Sequence, residues 1–295
     1  MRESPSPRDP ERILHRLEWT VLRRLDGVLH GDYRTLFRGR GLDLADLREY
    51  QPGDDVRRID WNVTARLNTP YVREYHEDRD LTAWFLLDLS ASTDFGARMQ
   101  KQAVATGFVT ALARLLTRHG NRIGALVYGN RVETMIPARA GRRHVLHLLH
   151  KMMQRTEAPS RATKLGELLA GALPVLKHRS LVFVVSDFIS QPGWEKPLAE
   201  LARRHETIAV RISDPLESEL PDVGIVSLED PETGEQLFVD THDPAFRRRY
   251  AAMAASSAAG MRESFAVAGV ERLELSTEEP LLDALLRFAR LRRRK

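Results

Sequence analysis

The chain has 295 residues, 42% hydrophobic and 29% charged, which is enough apolar material for a sizeable core and the balance of a folded, soluble protein. It contains no cysteine, so disulfides, thiolate chemistry and cysteine-ligated metals are excluded. A formal net charge of only +4 describes an ordinary surface rather than a polycation built for nucleic acid.

Residues 1–10 are polar and proline-rich, and no signal-peptide core follows Met1. No apolar run approaches the roughly 18 residues of a membrane helix, so a cytoplasmic protein with no direct membrane insertion is expected. From Glu11, the residues Leu14, Leu17, Val21, Leu25 and Val28 recur at helical spacing. They predict an amphipathic helix that ends near Gly31 and packs on the main domain. Gly39-Arg40-Gly41-Leu42-Asp43 reads as a turn, since neither a P-loop lysine nor a dinucleotide fingerprint follows.

The next stretch, Asp46 to Trp61, alternates carboxylates and guanidiniums around Tyr50, Ile59 and Trp61. Pro52-Gly53-Asp54 is a turn with fixed φ, then free φ, then a side chain able to bond its own backbone. The preferred reading is a network of Arg–carboxylate pairs tying this segment to the next domain. The alternative is an acid–base site using Asp54, Asp55 or Asp60, but no histidine is interleaved with them. Val72–Tyr75 alternates weakly. Residues 1–80 are therefore read as an N-terminal helix and strand-turn extension, and residues 81–295 as the main domain.

That domain begins with a strand. Ala83-Trp84-Phe85-Leu86-Leu87 is a continuous apolar run buried on both faces, and it stops in Asp88-Leu89-Ser90-Ala91-Ser92. Helix, strand and hairpin signals then follow in regular order. A helix is predicted over 97–118, strands over 123–128 and 132–136 around Gly129-Asn130, and helices over 143–153 and 165–176. A second fully buried strand, Ser180–Ser186 with the apolar run Leu181–Val185, ends in Asp187. A helix through 198–203, a strand over 207–212, a hairpin of 225–228 with 237–239, an alanine-rich helix, a strand over 272–275 and a final helix from Pro280 complete the chain. Buried strands alternating with helices give a three-layer α/β fold with a mostly parallel sheet.

Ligands in such sheets bind at the carboxyl ends of the strands. Asp88, Ser90, Ser92 and Asp187 belong there, and Thr163 opens a helix after a polar loop and can expose its hydroxyl at the same end. Oxygen-only ligands suit a hard cation, Mg²⁺ or Mn²⁺, and leave a coordination position for a carboxylate from another protein. The plainer alternative is that Ser90 and Ser92 simply cap a helix.

At these residues a resemblance appears. Asp88-x-Ser90-x-Ser92 with Thr163 and Asp187 resembles the metal-ion-dependent adhesion site of von Willebrand factor A-type domains, and the order of elements from residue 82 onward is similar to that fold. Upstream, Leu47 to Arg57 with Ile59-Asp60-Trp61 resembles the signature of the bacterial family called domain of unknown function 58. Its motif positions fall here on Tyr50, Pro52, Gly53, Asp54, Asp55, Arg57, Asp60 and Trp61. The resemblance implies a von Willebrand A-like domain over 81–295, a non-catalytic protein-binding role, and a MoxR-type AAA+ ATPase or its client as partner through an acidic side chain.

Other chemistries fit less well. His144, His147 and His150 fan across a helix surface and read as a solvated face. No nucleophile elbow is present, and the position two after Asp88 is Ser90 where a phosphoaspartate enzyme wants a second acid. A metal-dependent phosphohydrolase or nuclease at the same oxygens is the first alternative function. Nucleic-acid binding through Arg290 to Lys295 is the second, against reading that run as a solvated helix end.

Overall fold

The computed structural model describes residues 10–17, 21, 42–77, 81–94, 99–129, 132–154, 163–229 and 236–293. The elements in chain order begin with α1 (Pro10–Leu17), β1 (Leu42–Glu49), α2 (Trp61–Leu67) and β2 (Tyr71–Glu77). The main unit follows with β3 (Thr82–Asp88), α3 (Lys101–Arg118), β4 (Arg122–Tyr128), β5 (Val132–Arg139), α4 (Arg142–Met153) and α5 (Leu165–Ala172). Then come β6 (Leu181–Ser186), α6 (Glu195–Arg204), β7 (Glu206–Ser213), β8 (Ile225–Glu229) and β9 (Gln236–Asp240). The chain closes with α7 (Pro244–Ala268), β10 (Glu271–Ser276) and α8 (Leu281–Arg293).

Six strands form one sheet in the order β10-β7-β6-β3-β4-β5, parallel except for β5, which pairs antiparallel with β4 at one edge. The period of two along β3 explains its unbroken apolar run. Ala83, Phe85 and Leu87 join one core layer with α1, α3, α4 and α8, while Trp84 and Leu86 join the other with α5, α6 and the end of α7. Phe85 stacks on Phe183 of the neighbouring strand, and Phe108 of α3 meets Phe183 edge-on. Gly124 of β4 lies opposite Trp84, whose ring covers it so closely that an added Cβ would stand 2.7 Å away.

Outside this sheet, β1 and β2 pair antiparallel with a bulge between Leu44 and Asp46, and β8 and β9 form a separate hairpin. Leu14, Leu17 and Val21 enter the first core layer, as their helical spacing implied. The expected continuation of that helix through Leu25 and Val28 lies outside the described residues. Among the described residues, no helix is long and apolar enough to cross a membrane.

Several boundaries differ from the sequence reading, each for a local reason. Leu42 and Asp43 belong to β1 rather than to a turn, because β2 supplies the partner strand. The segment after Asp60 is helical: Asp60 accepts from the Asn62 and Val63 amides and caps α2, which Asn68 ends in the left-handed region. The predicted helix over 165–176 stops at Ala172, two residues before Pro174, whose ring and missing N–H oppose continuation. β5 runs on to Arg139 because it follows β4 along its length.

Candidate functional site

β3 and β6 are adjacent parallel strands at the centre of the sheet, so Asp88 and the Ser186-Asp187 pair emerge at the same carboxyl edge. Asp88, Ser90, Ser92, Thr163, Ser186 and Asp187 are each at most 4% exposed. One oxygen of Asp88 accepts from the Ser90 amide at 3.1 Å, and the other accepts from the Ser186 hydroxyl at 2.6 Å. The Ser90 and Ser92 hydroxyls lie 3.2 Å apart. Thr93 donates both its amide and its hydroxyl to the Ser90 carbonyl, which closes the short 3-10 turn that carries the serines.

After Asp187 the chain reverses sharply. Phe188 adopts φ 60, a conformation a bulky residue rarely takes, and its amide donates to Ser186 Oγ at 2.9 Å. Its ring is locked against Trp194 and Phe265 at centroid distances of 5.4 and 4.8 Å, which offsets the backbone strain. Thr163 is laid on this same loop. Its carbonyl accepts from the Gln191 amide and the Ser190 hydroxyl, while the next amide, of Lys164, donates to the Tyr128 hydroxyl at the end of β4.

The electrostatics centre on buried carboxylates. Burial and then the neighbouring Asp187 charge push Asp88 up to about 6, against the hydrogen bonds from Ser186 and Ser90. Among the described residues, no basic side chain pairs with Asp88. Asp187 differs: Lys101, the first residue of α3 and 1% exposed, donates to its Oδ2 at 2.8 Å and also pairs with Glu217. Burial alone would lower the Lys101 ammonium, but the two carboxylates outweigh it and hold it above its ordinary value. Glu217 is raised by burial, with Lys101 opposing.

Ser186, Lys101 and Glu217 were not singled out from the sequence. A signal for Lys101 exists: it lies in phase with Phe108, Leu112 and Leu115 on the buried face of α3, where a lysine needs carboxylate partners. Ser186 and Glu217 leave no comparable signal, because their partners Asp88 and Lys101 come from elements distant in the chain.

The donor set is oxygen-only: two carboxylates and three hydroxyls from the predicted residues, with Asp88 lacking a basic partner among the described residues. That chemistry fits a hard divalent cation such as Mg²⁺ or Mn²⁺ better than zinc or copper. Among the described residues, no group of three or more His, Cys, Asp or Glu side chains suited to a metal forms, so hydroxyls would have to supply part of the shell.

The upstream motif makes a set of local contacts of its own among the described residues, including a bridge from Ile59 to Val72 of β2. Arg48 holds Asp54 through two 2.7 Å bonds, and the Asp54 amide donates to the Gln51 carbonyl across the Pro52-Gly53 turn, where Gly53 takes φ 112. Asp55 accepts from the Arg57 amide, Asp60 caps α2, and the Tyr50 amide donates to the Pro70 carbonyl. Among the contacts of the described residues, these carboxylates serve turns and a helix cap inside the segment. Trp61 is 68% exposed.

Two further expectations change. His144 is not merely solvated: its Nε2 lies 2.8 Å from the Ile123 carbonyl, and burial lowers its pKa. Within the arginine run, Arg292 is a clamp, pairing with Glu206 of β7 and Glu271 of the edge strand β10.

The uncharacterized protein Rv1480 of Mycobacterium tuberculosis is 40% identical over 286 residues, covering 95% of this chain and 89% of its own. A second relative, the uncharacterized protein MAV169 of Mycobacterium avium, is 34% identical over 165 residues, 55% of this chain and 95% of its own. Among solved structures, an aerotolerance-related membrane protein from Bacteroides fragilis aligns with TM-score 0.48 and 10% identity, covering 73% of this chain and 99% of that one. BatB from Bacteroides thetaiotaomicron aligns over the same shares with TM-score 0.45 and 11% identity. The VWA domain of SpRpn10 aligns with TM-score 0.37 and 14% identity, covering 70% of this chain and 93% of that one. The fold itself is defined by the strand order and the antiparallel edge hairpin, which make a three-layer von Willebrand A-like unit. The family described as "Protein of unknown function DUF58" matches residues 46–260, and with that span and the 40% identity to a near full-length relative the chain belongs to this family.

Proposed function

We propose that this protein is a non-catalytic interaction module whose strand-end oxygens bind Mg²⁺ or Mn²⁺, and that the loaded site receives an acidic side chain of a protein partner. The observation that carries the reading is Asp88: a carboxylate at 1% exposure, flanked by Ser90 and Ser92 and lacking a basic partner among the described residues. A buried charge in that position is stabilised by a cation. Asp88, Ser90, Ser92, Thr163 and Asp187 are the residues that would hold it. The ion would supply a Lewis-acidic position for an incoming carboxylate. The partner is a MoxR-type AAA+ ATPase or its client, an assignment that rests on family resemblance.

Affinity capture from host lysate tests this directly, with Mg²⁺, with EDTA, and with Asp88→Ala bait. An ATPase of that class retained only by the wild type in Mg²⁺ is the expected result. Equal capture in all three arms would make the strand-end oxygens structural and move attention to the Tyr50–Trp61 segment. Turnover of phosphoesters that vanishes in Asp88→Ala would replace the binding role with a hydrolytic one.

A further inference from the structure

Lys101 is the feature of the site that a simple metal-binding loop does not need. It lies on the buried face of α3, and its ammonium is shared by two carboxylates from different elements: Asp187 after β6, and Glu217 in the 3-10 turn Pro215–Glu217 that follows β7. Both oxygens of Asp187 are engaged, Oδ1 by the Ile189 amide and Oδ2 by Lys101. A divalent cation drawn to Asp88 and Asp187 would therefore meet an ammonium already seated on Asp187, and two positive charges on one buried carboxylate repel.

Glu217 gives the ammonium somewhere to remain. Its Oε1 holds Lys101, while its Oε2 accepts from the Asp214 amide at 3.3 Å and closes a capping box. Asp214 is fixed in turn by the Leu216 amide and by the Thr277 hydroxyl after β10 at 2.6 Å. The Tyr250 hydroxyl of α7 donates to the Leu216 carbonyl. The turn is thus anchored from outside by Thr277 and Tyr250 and does not need to follow the lysine when its grip on Asp187 is lost.

We propose that Lys101 is a resident counter-cation of the strand-end site, bridging Asp187 and Glu217 in the metal-free protein and yielding Asp187, while keeping Glu217, when a divalent cation binds. This inference rests on the metal-site reading above and concerns its regulation. Lys101 holds the empty site together and sets a competition that lowers metal affinity, which makes occupancy reversible. It acts as a positioning residue and has no catalytic part.

The test is Mn²⁺ binding to the full chain, measured by electron paramagnetic resonance at fixed pH and ionic strength. The wild type is compared with Lys101→Met, Glu217→Gln and the double variant, with circular dichroism confirming each fold. Lys101→Met should bind about tenfold more tightly, a coupling of ordinary size. Glu217→Gln should bind several-fold more weakly, because the ammonium then has only Asp187. That loss should largely disappear in the Lys101→Met background. Equal or weaker binding by a folded Lys101→Met overturns the proposal, as does a Glu217→Gln loss of the same size in both backgrounds. If Lys101→Met does not fold, an unchanged or raised affinity in Glu217→Gln overturns it alone. Binding by Lys101→Met but not by the wild type supports the competition and sinks the metal-dependent function of the native chain. No binding by any variant overturns both.

Discussion

Asp88 is surrounded by amide and hydroxyl donors, yet burial and then the Asp187 charge keep its carboxyl at about 6, above the ordinary value of 3.8. An acid whose folded pKa is raised binds its proton more tightly in the native state. Its contribution to stability is therefore greatest below about pH 4 and is lost as the pH rises through about 6. Asp88→Asn keeps an acceptor for the Ser90 amide and presents its own amide to Ser186 Oγ. In EDTA at pH 8, urea denaturation should show this variant about 1–3 kcal/mol more stable than the wild type, with the gap closing near pH 4. A less stable variant at pH 8 would mean that the ionised carboxylate is well solvated by its donors. The same variant should lose any thermal upshift that Mg²⁺ gives the wild type. Asp88, Ser90, Ser92 and Asp187 were readable because each follows an apolar run too abruptly to be core. Ser186 was not, because its partner is one strand away in the sheet and 98 residues away in the chain.

At the scale of elements, the clearest constraint is the contact of β3 with β4. Trp84 occupies the space in front of Gly124, so Gly124→Ala forces the indole or the strand to move. The expected cost is about 1–3 kcal/mol by chemical denaturation. Trp84→Leu should recover part of that loss in the double variant, and strict additivity of the two changes would place the clash elsewhere. In the upstream segment, Asp60→Ala removes the two amide bonds that start α2 and should cost about 1 kcal/mol, with faster hydrogen exchange over 61–67. Unchanged exchange there would mean that packing holds α2 rather than its cap. This cap illustrates a limit of local reading. Asp60 lies in a run of alternating charges, and only the helical path of Trp61–Leu67 makes its carboxylate an N-cap.

Across the whole molecule, distant chain segments close one core layer. α1 packs on α3 and α4, and Leu14 is completely buried there. Leu14→Ala should therefore destabilise the main sheet by about 2–5 kcal/mol, as for any full core truncation. A change under about 0.5 kcal/mol, typical of surface sites, would show that α1 rests on the domain without supporting it. At the other end, α8 covers the same layer with Ala284, Leu285 and Phe288, and Arg292 joins it to Glu206 of β7 and Glu271 of β10.

What the sequence determined by itself was everything governed by local periodicity and abrupt changes of polarity. The two buried strands, the alternation that makes a mostly parallel sheet, the hairpin after the first long helix and the strand-end oxygens all follow from spacing along a few residues. What only the tertiary structure decided was pairing between remote segments. β1 becomes a strand because β2 lies beside it, Gly124 matters because Trp84 covers it, and Lys101 is buried because Asp187 and Glu217 meet it from two other elements. The physical reason is one of range. Backbone preference and amphipathic period act over a turn or a strand, whereas compensation of buried charge and shape depends on which distant side chains share the interior.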